Sequence, residues 1–560
     1  MEKRAILAIV LSLLVVVLWS MLFAPTPPPK GKHPAEQGPS KRPQKATEVT
    51  EKQAKEARLP QPSPAVPVSG GSSVHESLVT IDTGITRMSL TSRGAGVKTV
   101  QLLEYRATLD KGAPPVEIAP VHGAAVVPLR AEVQVGQRRL SLAHVDFTPS
   151  QTTLVLSAEH PQGTVVFRGR LANGLVVRRT YRFYYNSYLF EVRTQIEGLP
   201  LQTRSAMTLF WGPGLRQSLV KRSRQRGIRP RSYIDGKIFH EVPKKVGEVR
   251  MQRGKVTWAA LADTYFAAVL LPVNAKDATV FVRRVQKDAL ELGLSTPLNG
   301  QDPTQIVRVY VGPKLQKLLE SVEPSLGKLI DLGFFSPLAR PMLQLLRLVN
   351  SVIHNYGVSI ILVTILIRVV FWPLTQKSYK SMQAMQKLQP KMKELQVLYK
   401  DDKQALNRAM MQLYREHKVN PMGGCLPMLL QVPFFFAFYN ALLYAIELRH
   451  APFICWEKEL FWVGRGICDL SVHDPSYITP ILMGISMFVQ QKMSPTTGDP
   501  TQAKITQFMP LIFLLFFLKA PAGLVIYWLM SNVLSILQQV LINRTRRLET
   551  VKAAVASKGK

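Results

Sequence analysis

Carboxylates are scarce in this chain of 560 residues: 37 Asp and Glu stand against 71 Lys and Arg, for a formal net charge of +34. A balance that basic points to anionic partners. Beside long apolar runs, the counter-charges to consider are anionic lipid headgroups and ribosomal RNA rather than DNA. Cysteine is scarcer still, with three residues and no CxxC, which excludes a cysteine-built zinc site. No P-loop, HExxH or GxSxG stands in a suitable setting, so ATPase and protease chemistry finds no residues. No acid lies deep in the apolar runs of the C-terminal half, which removes the Asp, Glu or His relay of a proton-coupled carrier.

What is present divides the chain by texture. MEKR precedes an apolar run from Ala5 to Phe23, long enough to span a bilayer. Leu22, Phe23 and Pro25 spoil a cleavage site, so 1–24 reads as an uncleaved signal anchor with Lys3 and Arg4 holding the N-terminus in the cytoplasm. Residues 25–73 are rich in Pro, Lys, Glu, Gln and Ser without apolar periodicity, the composition of a disordered tether. Residues 74–320 change to short alternating runs. In SYLFEVRTQI, Tyr188, Phe190 and Val192 fall on one face and Leu189, Glu191 and Arg193 on the other; TVVFRGRL, LVVRRTYRFYY, TYFAAVLLP and ATVFVRRV have similar content. Over this length they predict a large antiparallel β-sandwich outside the membrane. Its histidines (His75, His122, His144, His160, His240) are scattered and form no cluster with carboxylates.

The chain then returns to the membrane. Residues 325–350 alternate apolar clusters with Lys328, Asp331, Arg340 and Arg347, as in an interfacial amphipathic segment broken by Pro337 and Pro341. A five-span core is expected over 351–543, with spans near 352–372, 426–446, 477–490, 505–518 and 522–542. The apolar stretches at 477–490 and 505–518 are short for a full hydrocarbon core and favour a thinned bilayer. The lysine- and arginine-rich loop 376–420 and the basic tail 544–560 belong in the cytoplasm by the positive-inside rule. Six spans with both termini inside place the sandwich and the loop 447–475 outside. Met385, Leu388, Met392, Leu395 and Met410 recur at helical spacing in the basic loop and predict a helical hairpin. The stripe either packs the two arms together or offers an adaptable apolar face to varied segments.

One position stands out. Arg368 lies inside VTILIRVVFWPLT, where a cation costs roughly 2.5–3.5 kcal/mol on translocon scales. It either faces a wet groove or snorkels to the nearby cytoplasmic end. Thr364, Gln431 and Asn532 are further polar side chains in the spans. Cys455 and Cys468 share one short external loop, where a disulfide can form, and Cys425 reads as an inert core thiol.

Several long motifs in order carry a resemblance: RVVFWPLTQKSYKSM, LQPKMKEL, VNPMGGCLPMLLQVPFFFAFYNAL, ELRHAPF, DPSYITPILMGISMFVQQKMSPTT and FMPLIFLLFFLKAPAGLVIYWLMSN. They resemble the YidC/Oxa/Alb family of bacterial membrane protein insertases, in the Gram-negative form with a large periplasmic domain. TSRGAGV and TWAALADTYFAAVLLP extend the likeness, more loosely, into the soluble part. The resemblance implies an α-helical insertase core plus an all-β periplasmic supersandwich in the bacterial inner membrane, acting as insertase and chaperone without cofactor or catalysis. It implies a hydrophilic groove open to cytoplasm and lipid, with Arg368, Thr364, Tyr527 and Trp528 at family positions in or near it; Gln431 and Asn532 complete the candidate set. Implied partners are nascent membrane proteins, a Sec-type translocon and the ribosome, the last through the hairpin and through Arg544, Arg546 and Arg547 of the tail. Two other classes remain to be told apart: a membrane-anchored carbohydrate-binding or carbohydrate-processing protein, which needs a His and carboxylate cluster in the sandwich, and a small-anion carrier using Arg368, which needs a route open to both sides.

Overall fold

The computed structural model describes residues 76–558, apart from 111, 120–126, 172–173, 200–203, 216–226, 276, 288, 300, 401, 418, 420–425, 461–463 and 494–499, and apart from the side chains at 403, 426–430, 457–460, 464–465, 500–506 and 546–558. The signal anchor expected at 1–24 and the tether at 25–73 lie outside the described residues, as does Cys425.

Strand content fills the soluble part. Sheets of five, nine and six strands run from Leu78 to Pro313. The centre of the nine-stranded sheet holds, in spatial order, β17 (Phe266–Pro272), β20 (Thr304–Pro313), β11 (Leu189–Glu197), β10 (Val176–Tyr184) and β9 (Gln162–Arg170). Strands β9, β10 and β11 alternate by the two-residue period: Val165 and Phe167, Tyr181 and Phe183, Phe190 and Val192 are buried, and the residues between them face outward, whereas β17 is buried almost throughout. Burying such a Phe contributes about 1.5–3 kcal/mol. The six-stranded sheet contributes Met207, Leu209 and Trp211 from β12 (Ser205–Trp211) and Leu292 and Leu294 from β19 (Ala289–Leu298) to the same core. Gln305 of β20 ties the two sheets together, its Nε2 donating to the Met207 carbonyl and to Thr296 Oγ1 at 2.9 Å each. The expected all-antiparallel pairing has one departure, since β1 (Leu78–Asp82) pairs in parallel with β8 (Thr153–Val155).

A buried arginine anchors the five-stranded sheet to this core. Arg179 is fully enclosed and donates to the carbonyls of Gly94 (3.0 Å), Ala95 (3.2 Å) and Leu129 (2.8 Å). Ala95 and Leu129 have left-handed φ values of 47° and 61°, a conformation costly for side-chain-bearing residues. Charged donors on their carbonyls offset that cost, and the Tyr181 hydroxyl adds a further bond to Ala95 O.

Beyond β20 the chain becomes helical. A short α1 (Gln316–Val322) and a 3₁₀ turn lead to α2 (Ser336–Ile353), so the segment 325–350 is broken near Gly333, and Pro341 is accommodated inside α2. Asn355 caps α3 (Tyr356–Leu398), accepting from Val358 N–H at 3.1 Å. This helix joins the expected second span and the first hairpin arm without interruption. Asp402 caps α4 (Lys403–Glu416), the second arm, by accepting from Gln404 and Ala405. Then follow α5 (Leu426–Tyr444), α6 (Ile478–Met493), α7 (Pro500–Phe517) and α8 (Ala522–Lys558). Among the described residues, α3 and the stretch Ala522–Thr545 of α8 are long and apolar enough to cross a membrane, with a shorter apolar helix at Gln507–Phe517. Outward residues such as Leu366, Val369, Val370, Leu511 and Leu515 are exposed, as on helices whose solvent is lipid.

The sandwich meets one end of the helices. Arg449, after α5, donates Nη2 to the carbonyls of Arg106 (2.8 Å) and Ala107 (3.3 Å) and lies 5.7 Å from the Phe266 ring. Lys314, just past β20, stands 5.8 Å from the Tyr444 ring, and its burial lowers the ammonium pKa to about 8 against the pull of Asp263. Arg347 and Glu447 form an ion pair at 2.7 Å beside them.

If Arg179 is the anchor described, Arg179→Met orphans the buried carbonyls of Gly94 and Leu129 and leaves that of Ala95 with the Tyr181 hydroxyl alone. Urea unfolding should then show a loss of more than about 1–3 kcal/mol, larger than that of Tyr181→Phe. Equal losses in the two variants would show that Arg179 only fills space.

Candidate functional site

The helices form an open cleft lined by Thr364, Ile367, Arg368, Phe371, Leu374, Thr375, Gln431, Phe434, Tyr527 and Ser531. Helical spacing explains the list. Thr364, Arg368, Phe371 and Thr375 follow i, i+4, i+7 and i+11 along α3, while Tyr527 and Ser531 are four apart on α8. Arg368 lies twelve residues past the start of α3, about 18 Å along its axis from the end that carries the sandwich.

Neutral groups hold the guanidinium. Arg368 Nη2 donates to Ser531 Oγ, and the same oxygen accepts from Gln431 Nε2 at 3.3 Å. Ser531 is buried. Among the described residues, no carboxylate forms an ion pair with Arg368. The cleft therefore presents a cation whose remaining N–H groups are open to an incoming acceptor. Thr364 offers less than its type suggests, since its hydroxyl already donates to Ile360 O at 2.6 Å. Pro373 removes one backbone donor from α3 below Arg368. Gln538 of α8 braces that turn, donating to the Trp372 carbonyl at 3.3 Å.

The candidate set does not all converge. Arg368, Thr364, Gln431 and Tyr527 line the cleft. Asn532 turns away and donates Nδ2 to Ser486 Oγ of α6 at 3.1 Å. Trp528 also leaves the lining, packing among Phe435, Phe513 and Phe517 with ring centroids 4.5, 5.4 and 5.1 Å away. Ser531, the group that holds Arg368, is the residue the sequence reading left out of the set. In the hairpin, Leu388, Met392 and Leu413 are buried against one another, with Leu395 and Met410 beside them and Met385 outside that cluster. Of the tail arginines, Arg544 is exposed, and the Arg546 and Arg547 side chains lie outside the described residues. Cys455 and Cys468 are bonded across the hairpin of β21 (Ile454–Leu460) and β22 (Gly464–Ile467).

At the opposite end of the bundle from the hairpin, this loop is hydrogen-bonded to the starts of three helices. Asn355 donates to Phe453 O at 3.1 Å, and the N–H groups of Ala522 and Gly523, opening α8, donate to Val472 and Leu470 at 2.7 and 3.0 Å. Asp474 accepts from Thr479 at the start of α6.

Ser531→Val and Ser531→Thr match each other in volume, but Val deprives two donors of their acceptor whereas Thr keeps the oxygen. Thermal unfolding in detergent should separate the variants by about 1–3 kcal/mol in favour of Thr. Coincident melting curves would mean the Ser531 oxygen holds nothing.

Comparison with known proteins fits both halves. A family described as "60Kd inner membrane protein" matches residues 348–549, and one described as "YidC periplasmic domain" matches residues 78–345. The membrane protein insertase YidC of Geotalea uraniireducens (strain Rf4) is 38% identical over 97% of this chain and 99% of its own length. That of Syntrophus aciditrophicus (strain SB) is 37% identical over 97% of this chain and 100% of its own. A solved structure of an active YidC insertase, with its first transmembrane domain resolved, aligns over 84% of this chain and 93% of that one at 17% identity and a TM-score of 0.34. Similarity of that depth across the whole length identifies the chain as a member of the YidC family of membrane protein insertases, in the form that carries a mostly β-sheet periplasmic domain.

Proposed function

We propose that this insertase works by electrostatic capture in the Arg368 cleft, without cofactor or covalent step. The observation that carries the reading is a half-buried guanidinium held only by neutral Ser531, with no ion-pair partner among the described residues. A polar, acidic segment of a nascent membrane protein enters from the cytoplasmic side and exchanges water for Arg368, which lowers the desolvation cost of crossing. Its apolar helix then moves into lipid, where burial of apolar surface drives it. The hydrogen-bonded loop 446–477 supports a cleft closed on the outer side, so that a client is released sideways rather than through a pore. An anion carrier would need that closure to open.

In this reading the chain makes six spans with both termini in the cytoplasm, counting the anchor at 1–24 and five spans in 351–543. The contacts of Arg449 with the sandwich support placing the loop after α5 on the periplasmic side. The hairpin of α3 and α4 and the basic tail, with Arg544, Arg546 and Arg547, serve as ribosome contacts. The positive charge of the cytoplasmic parts also suits anionic lipids, and a Sec-type translocon is the partner when clients need one. The hairpin's apolar stripe is spent largely on joining its own arms, which favours a docking role over client binding.

Replacing Arg368 tests the capture step. With a single-spanning client carrying an acidic translocated tail, insertion should fall from wild type through Arg368→Lys and Arg368→Ala to Arg368→Glu. The last loss should be about tenfold or more, because one like-charge contact in a partly dry site exceeds about 1.4 kcal/mol. The same client with a neutral tail should be little affected. Equal losses for both tails would sink the proposal.

A further inference from the structure

The outer face of the nine-stranded sheet carries arginines that mostly form no ion pair among the described residues. Cross-strand register places Arg308, Glu191 and Arg182 in one row, Arg193 and Thr180 in the next, and Gln195, Arg178 and Arg168 in a third, with Arg170 beyond. Arg168, Arg170, Arg182 and Arg193 are exposed, and Arg178 and Arg308 are half-buried. Glu191 and Glu197 are the acids on these strands. Among the described residues the one ion pair is Arg178–Glu197 at 3.3 Å, and the other five arginines make none. Arg168 sits directly across from Arg178, a like-charge pair that costs stability in an antiparallel sheet. The outward positions use arginine and no lysine, the choice that suits forked recognition of carboxylates. A face selected only for solubility would mix the signs and avoid facing like charges.

We infer that this face binds acidic, translocated segments of client proteins as they emerge on the periplasmic side. Distance along the strand separates these arginines from the junction with the helices. The β20 end at Pro313 abuts the helices through Lys314 and Tyr444. Arg308 lies five residues up that strand and the Arg178 row nine, about 17 and 30 Å along it. A headgroup layer reaches only about 5–8 Å beyond the hydrocarbon. Segments that cross membranes are poor in Lys and Arg, so the charge they bring is that of Asp and Glu. The insertion reaction itself delivers them to the side that holds this sheet. Capture there opposes backsliding of a segment that has crossed. The inference rests on the family's insertase activity and not on the cleft reading.

The test uses the full chain in nanodiscs of zwitterionic phosphatidylcholine and a short fluorescent peptide rich in Asp and Glu, without Lys or Arg. A control peptide replaces each acid by its amide. Anisotropy should show binding of the acidic peptide alone, weakening with salt. The triple variant Arg168→Glu, Arg178→Glu, Arg193→Glu should bind at least about tenfold more weakly, and the corresponding Gln variant should fall between, both still unfolding in a cooperative thermal transition. If the Glu variant misfolds, the Gln variant alone decides. Arg368→Glu should leave the part of the binding that the sheet variants remove intact. Loss of peptide binding with Arg368→Glu but not with the sheet variants would overturn the inference by placing the peptide in the cleft. Sheet variants that lose binding to phosphatidylglycerol vesicles but not to the peptide would overturn it in favour of lipid. Unchanged binding in every variant would also overturn it.

Discussion

A guanidinium that pairs with no carboxylate among the described residues, set among apolar helices, is the constraint around which the membrane part is arranged. Leaving such a charge unsolvated in hydrocarbon is prohibitive, and a fixed acid beside it would neutralise its pull on anything else. Ser531 and Gln431 resolve the conflict by orienting the group while leaving it charged. In the proposed reading the cleft stays open to water on one side, while α3 and α8 meet through the Arg368–Ser531 bond. Gln538 braces α3 where Pro373 weakens it. The loop 446–477 locks the far end with backbone hydrogen bonds.

The sandwich answers to a different problem. It has a large apolar core, one buried arginine that holds strained turns, and a docking surface on the helices made of Arg449, Lys314 and their aromatic partners. Arginine thus appears in three physical settings. At 179 it is sealed in and used for structure; at 368 it is half-open and held by neutral groups; on the outer sheet face it is exposed and largely unpaired. The first setting explains how a scaffold is held. In the proposed reading the other two present positive charge on either side of one membrane barrier.

How much of this could be read from residues alone differs by element. The alternation in SYLFEVRTQI is visible because one face is buried and the other wet, which leaves a period of two in the sequence. Joining the second span to the first hairpin arm was not visible, because charge rises at Gln376 while the helix does not end there. The family motif places Tyr527 and Trp528 together, yet one residue is a turn of about 100° on a helix. Tyr527 therefore shares the cleft face with Ser531, while Trp528 and Asn532 share the next face and bond elsewhere. That i, i+4 pairing was available in IYWLMSN. The bond from Ser531 to Arg368 was not, since a lone serine in a span is common and its partner is 163 positions away.

The central claim is that Arg368 faces a cleft wet from the cytoplasm and closed from the periplasm. Thiol accessibility tests it with the arginine kept in place. Gln431→Cys in a Cys425→Ser background, in oriented inner-membrane vesicles, should react with a membrane-impermeant maleimide added on the cytoplasmic side and stay unlabelled from the periplasmic side. No labelling from the cytoplasm, or equal labelling from both sides, would contradict the account.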